Sequence, residues 1–274
     1  MKKIFLLIIS AIFLFGCANS SVQKEFTLDG DHGKLSVILE VPKKEKEYPL
    51  VMILHGFNAS KDMPLLTDLA NKLQNEGIAT IRFDFNGHGQ SEGSFLDMTA
   101  LNEIEDTKKV YEYISKLPQV KSVSLAGHSL GGVVAAMFAG ELGTDKIKTV
   151  VLMAPAGELK DDTLKGDLFG IKYDPQNIPE YIVLSNGLKV GKPFLQTSQT
   201  LPIYETTEKY EGPVLIVHSK DDQLVPYSYG VQFKEIYKNA ELETLSGFDH
   251  NFTQNTSYVN DIIADYFKKI LIKE

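Results

Sequence analysis

The sequence predicts an α/β fold in which a mostly parallel sheet of eight strands carries helices on both faces and an inserted lid. Short apolar segments typical of strands alternate along the chain with segments whose apolar residues recur at helical spacing. Residues 50–54 are continuously apolar, as expected of a strand covered on both faces. Residues 155–205, about fifty in all, show no clean period, and an irregular stretch of that length within a domain is usually functional.

The eight predicted strands are short apolar segments, most of them followed by a turn or a helix. They cover residues 26–28, 35–41, 50–54, 78–83, 123–126, 150–153, 214–217 and 242–245. The predicted helices cover residues 65–73, 101–117, 133–142 and 258–270. The first of these helices illustrates the evidence, because its apolar residues recur at helical spacing and it stops before Gly77.

The composition suits one folded domain and excludes several classes of protein. The chain has 274 residues, of which 43% are hydrophobic and 23% charged, so a disordered or collagen-like chain is excluded. The net charge is −8 and Arg82 is the only arginine, so no nucleic-acid partner is expected. Neither a Cys/His cluster with zinc spacing nor a His-Glu-x-x-His motif occurs, so no metal and no other cofactor is expected.

The first residues have the pattern of an export signal. Two lysines precede an apolar segment at residues 4–15, which is too short for the roughly 20 residues that span a bilayer but suits a signal peptide. Leu14-Phe15-Gly16-Cys17 resembles the lipobox of bacterial lipoproteins. The resemblance implies a signal peptide over residues 1–16, a lipid on Cys17 and a tether over residues 17–25. It also implies a location in the bacterial cell envelope, lipid-anchored on the non-cytoplasmic side of a membrane. The alternative is a cleaved secretory signal in which Cys17 is incidental.

A nucleophile motif lies between a predicted strand and a predicted helix. Gly127-His128-Ser129-Leu130-Gly131 fits the Gly-x-Ser-x-Gly pattern, which holds a serine on a strained turn above the end of a strand. The two glycines leave room for the adjoining strand and helix, and the helix directs its positive end at developing negative charge. Ser129 is therefore the candidate nucleophile, and the alternative is a tight turn with a surface serine.

A serine nucleophile needs a base and a carboxylate that orients the base. For this motif the acid and then the histidine follow the serine along the chain. Asp221 and Asp222 follow the strand at 214–217, and His250 follows the strand at 242–245, so all three are expected at the edge of the sheet that holds active sites. The pattern Asp-x-x-Val-Pro, which ends at residue 226, favours Asp222 as the acid over Asp221. The alternative for His250 is a structural histidine.

The oxyanion hole is predicted from two backbone N–H groups. His55-Gly56-Phe57 ends the third strand, where the loop that supplies one donor is expected, and Phe57 would provide it. Leu130, the residue after the candidate nucleophile, would provide the second. The side chain of His55 is interpreted as a brace for the loop.

From about residue 26 to residue 270 the chain resembles the α/β-hydrolase superfamily, and within it the bacterial cinnamoyl (feruloyl) esterases. The stretches that carry the closer resemblance are residues 83–89, 102–106, 154–156, 159–164 and 201–205. The resemblance implies an α/β-hydrolase domain over residues 26–274 with a lid insertion at about 156–205. It also implies that Asp162 and Phe194 line the part of the pocket that receives a phenolic ring. Phe194 stands where the family has a tyrosine, and Leu130 stands where it has a glutamine.

The leading interpretation is a lipid-anchored serine hydrolase that cleaves small-molecule carboxylic esters, with hydroxycinnamoyl esters as the substrate class that the resemblance implies. A second interpretation keeps the same machinery for monoacylglycerols, lysophospholipids or acyl thioesters. A peptidase and a binding lipoprotein without turnover are also compatible with the sequence. The sequence makes no prediction of the oligomeric state.

Overall fold

The computed structural model describes residues 21–43 and 45–272, and its core is one eight-stranded sheet. In chain order the strands of this sheet are β1 (Ser21–Asp29), β2 (Lys34–Pro42), β3 (Tyr48–Leu54), β4 (Ala79–Phe83), β5 (Val120–His128), β6 (Ile147–Met153), β11 (Val214–Ser219) and β12 (Ala240–Leu245). Their order across the sheet is β1-β2-β4-β3-β5-β6-β11-β12. The six strands from β4 to β12 in this order are parallel, whereas β1 and β2 are antiparallel to their neighbours.

Helices cover both faces of the sheet. The main helices are α1 (Pro64–Asn75), α2 (Ala100–Ile114), α3 (Leu130–Leu142), α7 (Tyr227–Ile236) and α8 (Thr256–Leu271). Strand β3 shows why both faces need cover, because Leu50 and Met52 belong to one buried cluster while Val51 and Ile53 belong to the other. Residues of α2, α3 and α7 complete the first cluster, and residues of α1 and α8 complete the second. The predicted fold class is confirmed.

The lid insertion follows β6 and precedes β11. It forms the short helices α4 (Leu159–Lys165), α5 (Lys192–Ser198) and α6 (Ile203–Thr207), and two small hairpins made of β7 (Asp167–Leu168) with β8 (Ile171–Lys172) and of β9 (Tyr181–Val183) with β10 (Lys189–Gly191). Strand β10 and helix α5 contact a 3₁₀ helix at Phe95–Asp97, which follows the loop after β4. The insertion therefore covers the edge of the sheet at which the parallel strands end.

Several elements differ from the sequence prediction, among them β1, α2 and α7. Strand β1 begins at Ser21, so its first five residues fall within the predicted tether and pair with β2. Helix α2 ends at Ile114, three residues early, and helix α7 has no predicted counterpart. The predicted signal peptide and Cys17 lie outside the described residues. Within the described part of the chain, no helix has both the length and the apolar character needed to cross a membrane.

Candidate active site

Ser129 lies in the sharp turn between β5 and α3. Its backbone has φ +55° and ψ −121°, a conformation that non-glycine residues rarely adopt outside functional turns. A Cβ atom on Gly127 would lie 2.1 Å from the carbonyl oxygen of Gly131, and a Cβ atom on Gly131 would lie 2.3 Å from the carbonyl oxygen of His55. Any side chain at either position would collide with the backbone. The close packing of β5, α3 and the loop after β3 therefore requires glycine at both positions of the motif.

Asp222 and His250 are brought together from two loops, one after β11 and one after β12. His250 Nδ1 lies 2.8 Å from Asp222 Oδ2. The other carboxylate oxygen, Oδ1, accepts the backbone N–H groups of Leu224 at 2.8 Å and Val225 at 3.0 Å. Burial alone would raise the pKa of Asp222, but hydrogen bonds from His218 and His250 outweigh it and hold that pKa well below its usual range. The carboxylate thus stays charged beside the imidazole.

The second ring nitrogen of His250 accepts and donates no hydrogen bond within residues 21–43 and 45–272. His250 is 7% exposed, and its Nε2 atom has no hydrogen-bond partner among the described residues. His128 holds the loop of His250, because its Nε2–H donates to the carbonyl oxygen of His250 at 2.9 Å. Burial lowers the pKa of His128 to about 3, with the nearby His250 adding to the effect, so His128 is neutral. The ring of His128, the residue before Ser129, lies 4.8 Å from that of His250.

The loop after β3 approaches the serine closely. A Cβ atom on Gly56 would lie only 2.9 Å from Ser129 Cβ, so this loop places Phe57 beside the candidate nucleophile. The side chain of His55 braces the loop, since Nδ1–H donates to the carbonyl oxygen of Gly56 at 2.9 Å and Nε2 accepts the N–H of Phe85 at 3.1 Å. Burial lowers the pKa of His55 to about 3, so this tautomer carries no charge.

A cavity of about 320 Å³ opens beside Ser129, within the size range of small-molecule sites. Its lining contains Ser129, Leu130 and Phe57 from the body, together with Asp162 and Phe194 from the lid. The five positions predicted for the oxyanion hole, nucleophile and acyl pocket therefore share one cavity. Phe194 is 1% exposed, and its ring centre lies 5.4 Å from that of Phe57. The pKa of Asp162 is raised above its ordinary value, mainly by burial. Lys165, whose Nζ lies 3.8 Å from Asp162 Oδ1, opposes this increase only in part.

Further residues line the cavity that the sequence analysis does not predict as site residues, among them Phe169, Leu224 and Glu158. Phe169 contacts Phe57 with a ring-centre distance of 5.3 Å, and Leu224 lies two residues after Asp222 in the loop that follows β11. Glu158 precedes α4, is 7% exposed, and lines the same cavity. Glu158 is only two residues beyond Ala156, whose N–H donates to the carbonyl oxygen of Ser129. The one signal in the sequence that could have indicated Glu158 is that it is a carboxylic acid. The described residues contain no group of three or more side chains arranged to hold a metal ion.

Two family models match the chain in succession. One, described as serine aminopeptidase S33, matches residues 45–173, and the other, described as TAP-like protein, matches residues 192–273. The structure of Est1E from Butyrivibrio proteoclasticus with ferulic acid bound superposes with a TM-score of 0.87 at 32% sequence identity, over 90% of this chain and 100% of that chain. The chain belongs to the α/β-hydrolase superfamily. Within it, the chain is a serine ester hydrolase similar to the feruloyl esterases.

Curated relatives are more distant. The bifunctional esterase/perhydrolase DCH of Acinetobacter calcoaceticus is 27% identical over 270 residues, covering 80% of this chain and 92% of the relative. Human protein ABHD12B is 27% identical over 232 residues, covering 81% of this chain and 61% of the relative. This α/β hydrolase thus spans about three fifths of the length of its human relative.

Proposed function

We propose that this hydrolase cleaves carboxylic esters through Ser129, His250 and Asp222, and that hydroxycinnamoyl esters are its substrate class. The observation that carries the proposal is the 2.8 Å contact between Asp222 and His250 next to the turn that holds Ser129, with Nε2 of His250 free of partners in the part of the chain that the structure describes. An imidazole held in this way has its basic nitrogen available for a serine proton.

The reaction has two halves. Ser129 Oγ attacks the ester carbonyl carbon while His250 Nε2 takes the serine proton, and the imidazolium that forms is stabilised by Asp222. The backbone N–H groups of Phe57 and Leu130 donate to the oxyanion. The tetrahedral intermediate collapses as His250 protonates the departing alkoxide. Water then attacks the acyl-enzyme with His250 as base, and the acid product leaves with Ser129 restored.

The substrate class rests on the shape and chemistry of the cavity. Phe57, Phe169 and Phe194 supply aromatic surface to a flat ring, and Asp162 supplies an acceptor for a ring hydroxyl. The Est1E structure that resembles this protein contains ferulic acid, a hydroxycinnamate. Aliphatic glycerol esters are the competing class, because Phe169 and Leu224 are 40% and 46% exposed and offer apolar surface to an alkyl chain.

We further propose that Cys17 carries a lipid and that the enzyme acts in the bacterial cell envelope. Support comes from the lipobox-like residues 14–17 behind a signal-like segment. With the anchor in a membrane and the fold outside it, the substrate is a small ester that reaches the non-cytoplasmic side.

A panel of esters tests the proposal. Protein that lacks residues 1–17 is assayed on hydroxycinnamoyl, short aliphatic and long aliphatic esters, and kcat/KM is compared across the three. We expect the hydroxycinnamoyl esters to be preferred. Ser129→Ala should lower kcat by up to about 10⁶ with an unchanged melting temperature. Preference for long aliphatic esters would assign the enzyme to the lipid substrates instead, and an active Ser129→Ala would refute the assignment of the nucleophile.

A further inference from the structure

Glu158 is a buried carboxyl group that the proposed mechanism does not use. It lines the cavity beside Ser129, is 7% exposed, and its Oε2 atom has no hydrogen-bond partner among the described residues. The lysines on either side of it in the chain pair with other acids, Lys160 with Glu205 and Lys165 with Asp162. Buried polar groups in folded proteins are nearly always paired, so a carboxyl oxygen left unpaired in a ligand cavity indicates a partner that arrives with the ligand.

The groups around Glu158 are acids and phenols. Those that interact with it electrostatically are Asp161 and Asp162 of α4, Asp222 after β11, Tyr204 of α6 and Tyr229 of α7. Burial raises the pKa of Glu158 to about 8 against a hydrogen bond from its own backbone N–H, which lowers it, and the neighbouring aspartates add to the increase. At pH 7 the group is therefore neutral, with an O–H that donates and a carbonyl oxygen that accepts. An anionic ligand group would be repelled by the same carboxylates.

The chain at Glu158 is only two residues from a direct contact with the backbone of the nucleophile. Ala156, two residues earlier, donates its N–H to the carbonyl oxygen of Ser129 at 3.1 Å. Asp162 lies one helical turn further on, with its N–H donating to the carbonyl oxygen of Glu158 at 2.9 Å. Residues four apart share a helix face, and both Glu158 and Asp162 line the cavity, so two carboxyl groups are available to a ligand there.

We infer that Glu158 is a specificity-determining residue that hydrogen-bonds a hydroxyl group of the ester substrate close to the scissile bond. A hydroxyl both donates and accepts, so it matches both functions of a neutral carboxyl group. The hydroxyl belongs either to the acyl group, as in a hydroxy acid ester, or to the alcohol, as in a polyol ester. This inference rests on the proposed ester hydrolysis and adds a second point of substrate recognition to it.

Matched pairs of esters provide the test. One pair differs by a hydroxyl next to the carbonyl on the acyl side, and the other differs by a hydroxyl on the alcohol side. The variants are Glu158→Leu, Glu158→Gln, which keeps a neutral donor and acceptor, and Glu205→Leu, a control that removes an exposed lid glutamate outside the cavity lining. Thermal melting first establishes that each variant is folded.

We expect Glu158→Leu to lower kcat/KM about tenfold for the hydroxylated member of one pair and to leave its deoxy partner within about twofold. Glu158→Gln should keep most of the discrimination, and Glu205→Leu should keep all of it. The pair that responds shows which side of the ester carries the hydroxyl. Equal losses on hydroxylated and deoxy esters, or no loss on either pair, overturn the inference.

Binding without turnover separates this inference from the proposed function. In Ser129→Ala, calorimetry gives the Kd of each ester, and the double variant Ser129→Ala/Glu158→Leu gives the same quantity without the carboxyl group. A Kd that weakens about tenfold for a hydroxylated ester alone supports the role of Glu158, even if the wild-type enzyme hydrolyses none of the panel. Identical Kd values in both backgrounds refute it, whatever the catalytic result.

Discussion

Two neighbouring aspartates after β11 have different contacts and different proposed roles. Asp222 is 7% exposed and faces the imidazole of His250, whereas Asp221 is exposed and its Oδ2 atom accepts the N–H of Gly247 at 2.6 Å. Gly247 lies in the loop that leads to His250. Asp221 therefore braces the backbone of the histidine loop, while Asp222 contacts the histidine itself.

This difference predicts unequal effects of the same substitution. Asp222→Asn should lower kcat by about 10⁴, because an amide favours the wrong tautomer of His250. Asp221→Asn keeps an oxygen acceptor for Gly247 and should change kcat only slightly. Steady-state kinetics on the preferred ester, with melting temperatures for both variants, makes the comparison. A larger loss from Asp221→Asn would mean that Asp222 is not the catalytic acid.

The raised pKa of Glu158 predicts that the stability of the folded protein depends on pH. Its pKa is raised to about 8 in the folded protein from an ordinary value of 4.5, so the folded state binds a proton that the unfolded state releases. The neutral group's contribution is fully present below pH 4.5 and is lost as pH rises through about 8. The melting temperature of the wild type, relative to Glu158→Gln, should therefore fall between pH 5 and pH 8. Parallel melting curves across this range would show that the carboxyl group is not held neutral.

At the scale of elements, long and short segments differ in how well the sequence predicts them. All eight sheet strands were found, because strands such as β3 are buried on both faces and stand out as continuous apolar runs. The elements within residues 155–205 are not predicted, since β7 and β8 have two residues each and α6 has five. Segments of that length are too short for a period to repeat, and tertiary contacts determine their conformation.

The residues of the candidate site also differ in how well the sequence predicts them. Ser129, Asp222 and His250 could be predicted because the ends of parallel strands meet at one edge and each residue follows such an end. Asp162 and Phe194 came only from the family resemblance. Glu158 came from neither, because its significance lies in burial and in the absence of a hydrogen-bond partner for Oε2 among the described residues, and both are properties of the folded lid.

The lid carries the expected selectivity for a phenolic ring. Asp162→Ala should lower kcat/KM about tenfold to hundredfold for caffeate or ferulate esters, because a hydrogen bond from the ring hydroxyl to a carboxylate is lost. Esters of unsubstituted cinnamate have no such hydroxyl and should change little. Phe194→Tyr restores the hydroxyl that similar esterases carry there and should favour phenolic esters. Equal small effects of Asp162→Ala on all esters would mean that this carboxylate is only a solvated lid charge.

At the scale of the whole molecule, the start of β1 and the active site lie on opposite sides of the sheet along the strand direction. The start of β1 lies where the parallel strands begin, and the active site lies where they end. Ser21 pairs with Pro42, and β2 runs antiparallel to β4, so Ser21 lies at the edge where the parallel strands begin. Ser129 follows the end of β5, at the other edge. Strands β3 and β5 have seven and nine residues, which separates the two edges by about 23–30 Å.

The proposed anchor is short compared with this separation. Four residue steps connect Cys17 to Ser21, and a fully extended chain of that length spans at most about 14 Å. A lipid on Cys17 would therefore hold the edge with Ser21 near the bilayer and leave the cavity facing away from it. On this geometry an enzyme anchored through Cys17 would act on esters in solution, not on the lipids of its own membrane.

Vesicles that contain an ester-bearing lipid test this orientation. The lipid-modified wild type and Cys17→Ser, which should remain in the soluble fraction, are compared on a soluble ester and on the vesicle lipid. We expect kcat/KM for the soluble ester to agree within about twofold, and anchoring to give no gain on the lipid. A Gly/Ser insert of about 20 residues after Cys17 adds roughly 25 Å of mean reach and should permit attack on the lipid. Faster lipid hydrolysis by the anchored wild type without the insert would contradict the orientation, and equal membrane association of wild type and Cys17→Ser would refute the anchor itself.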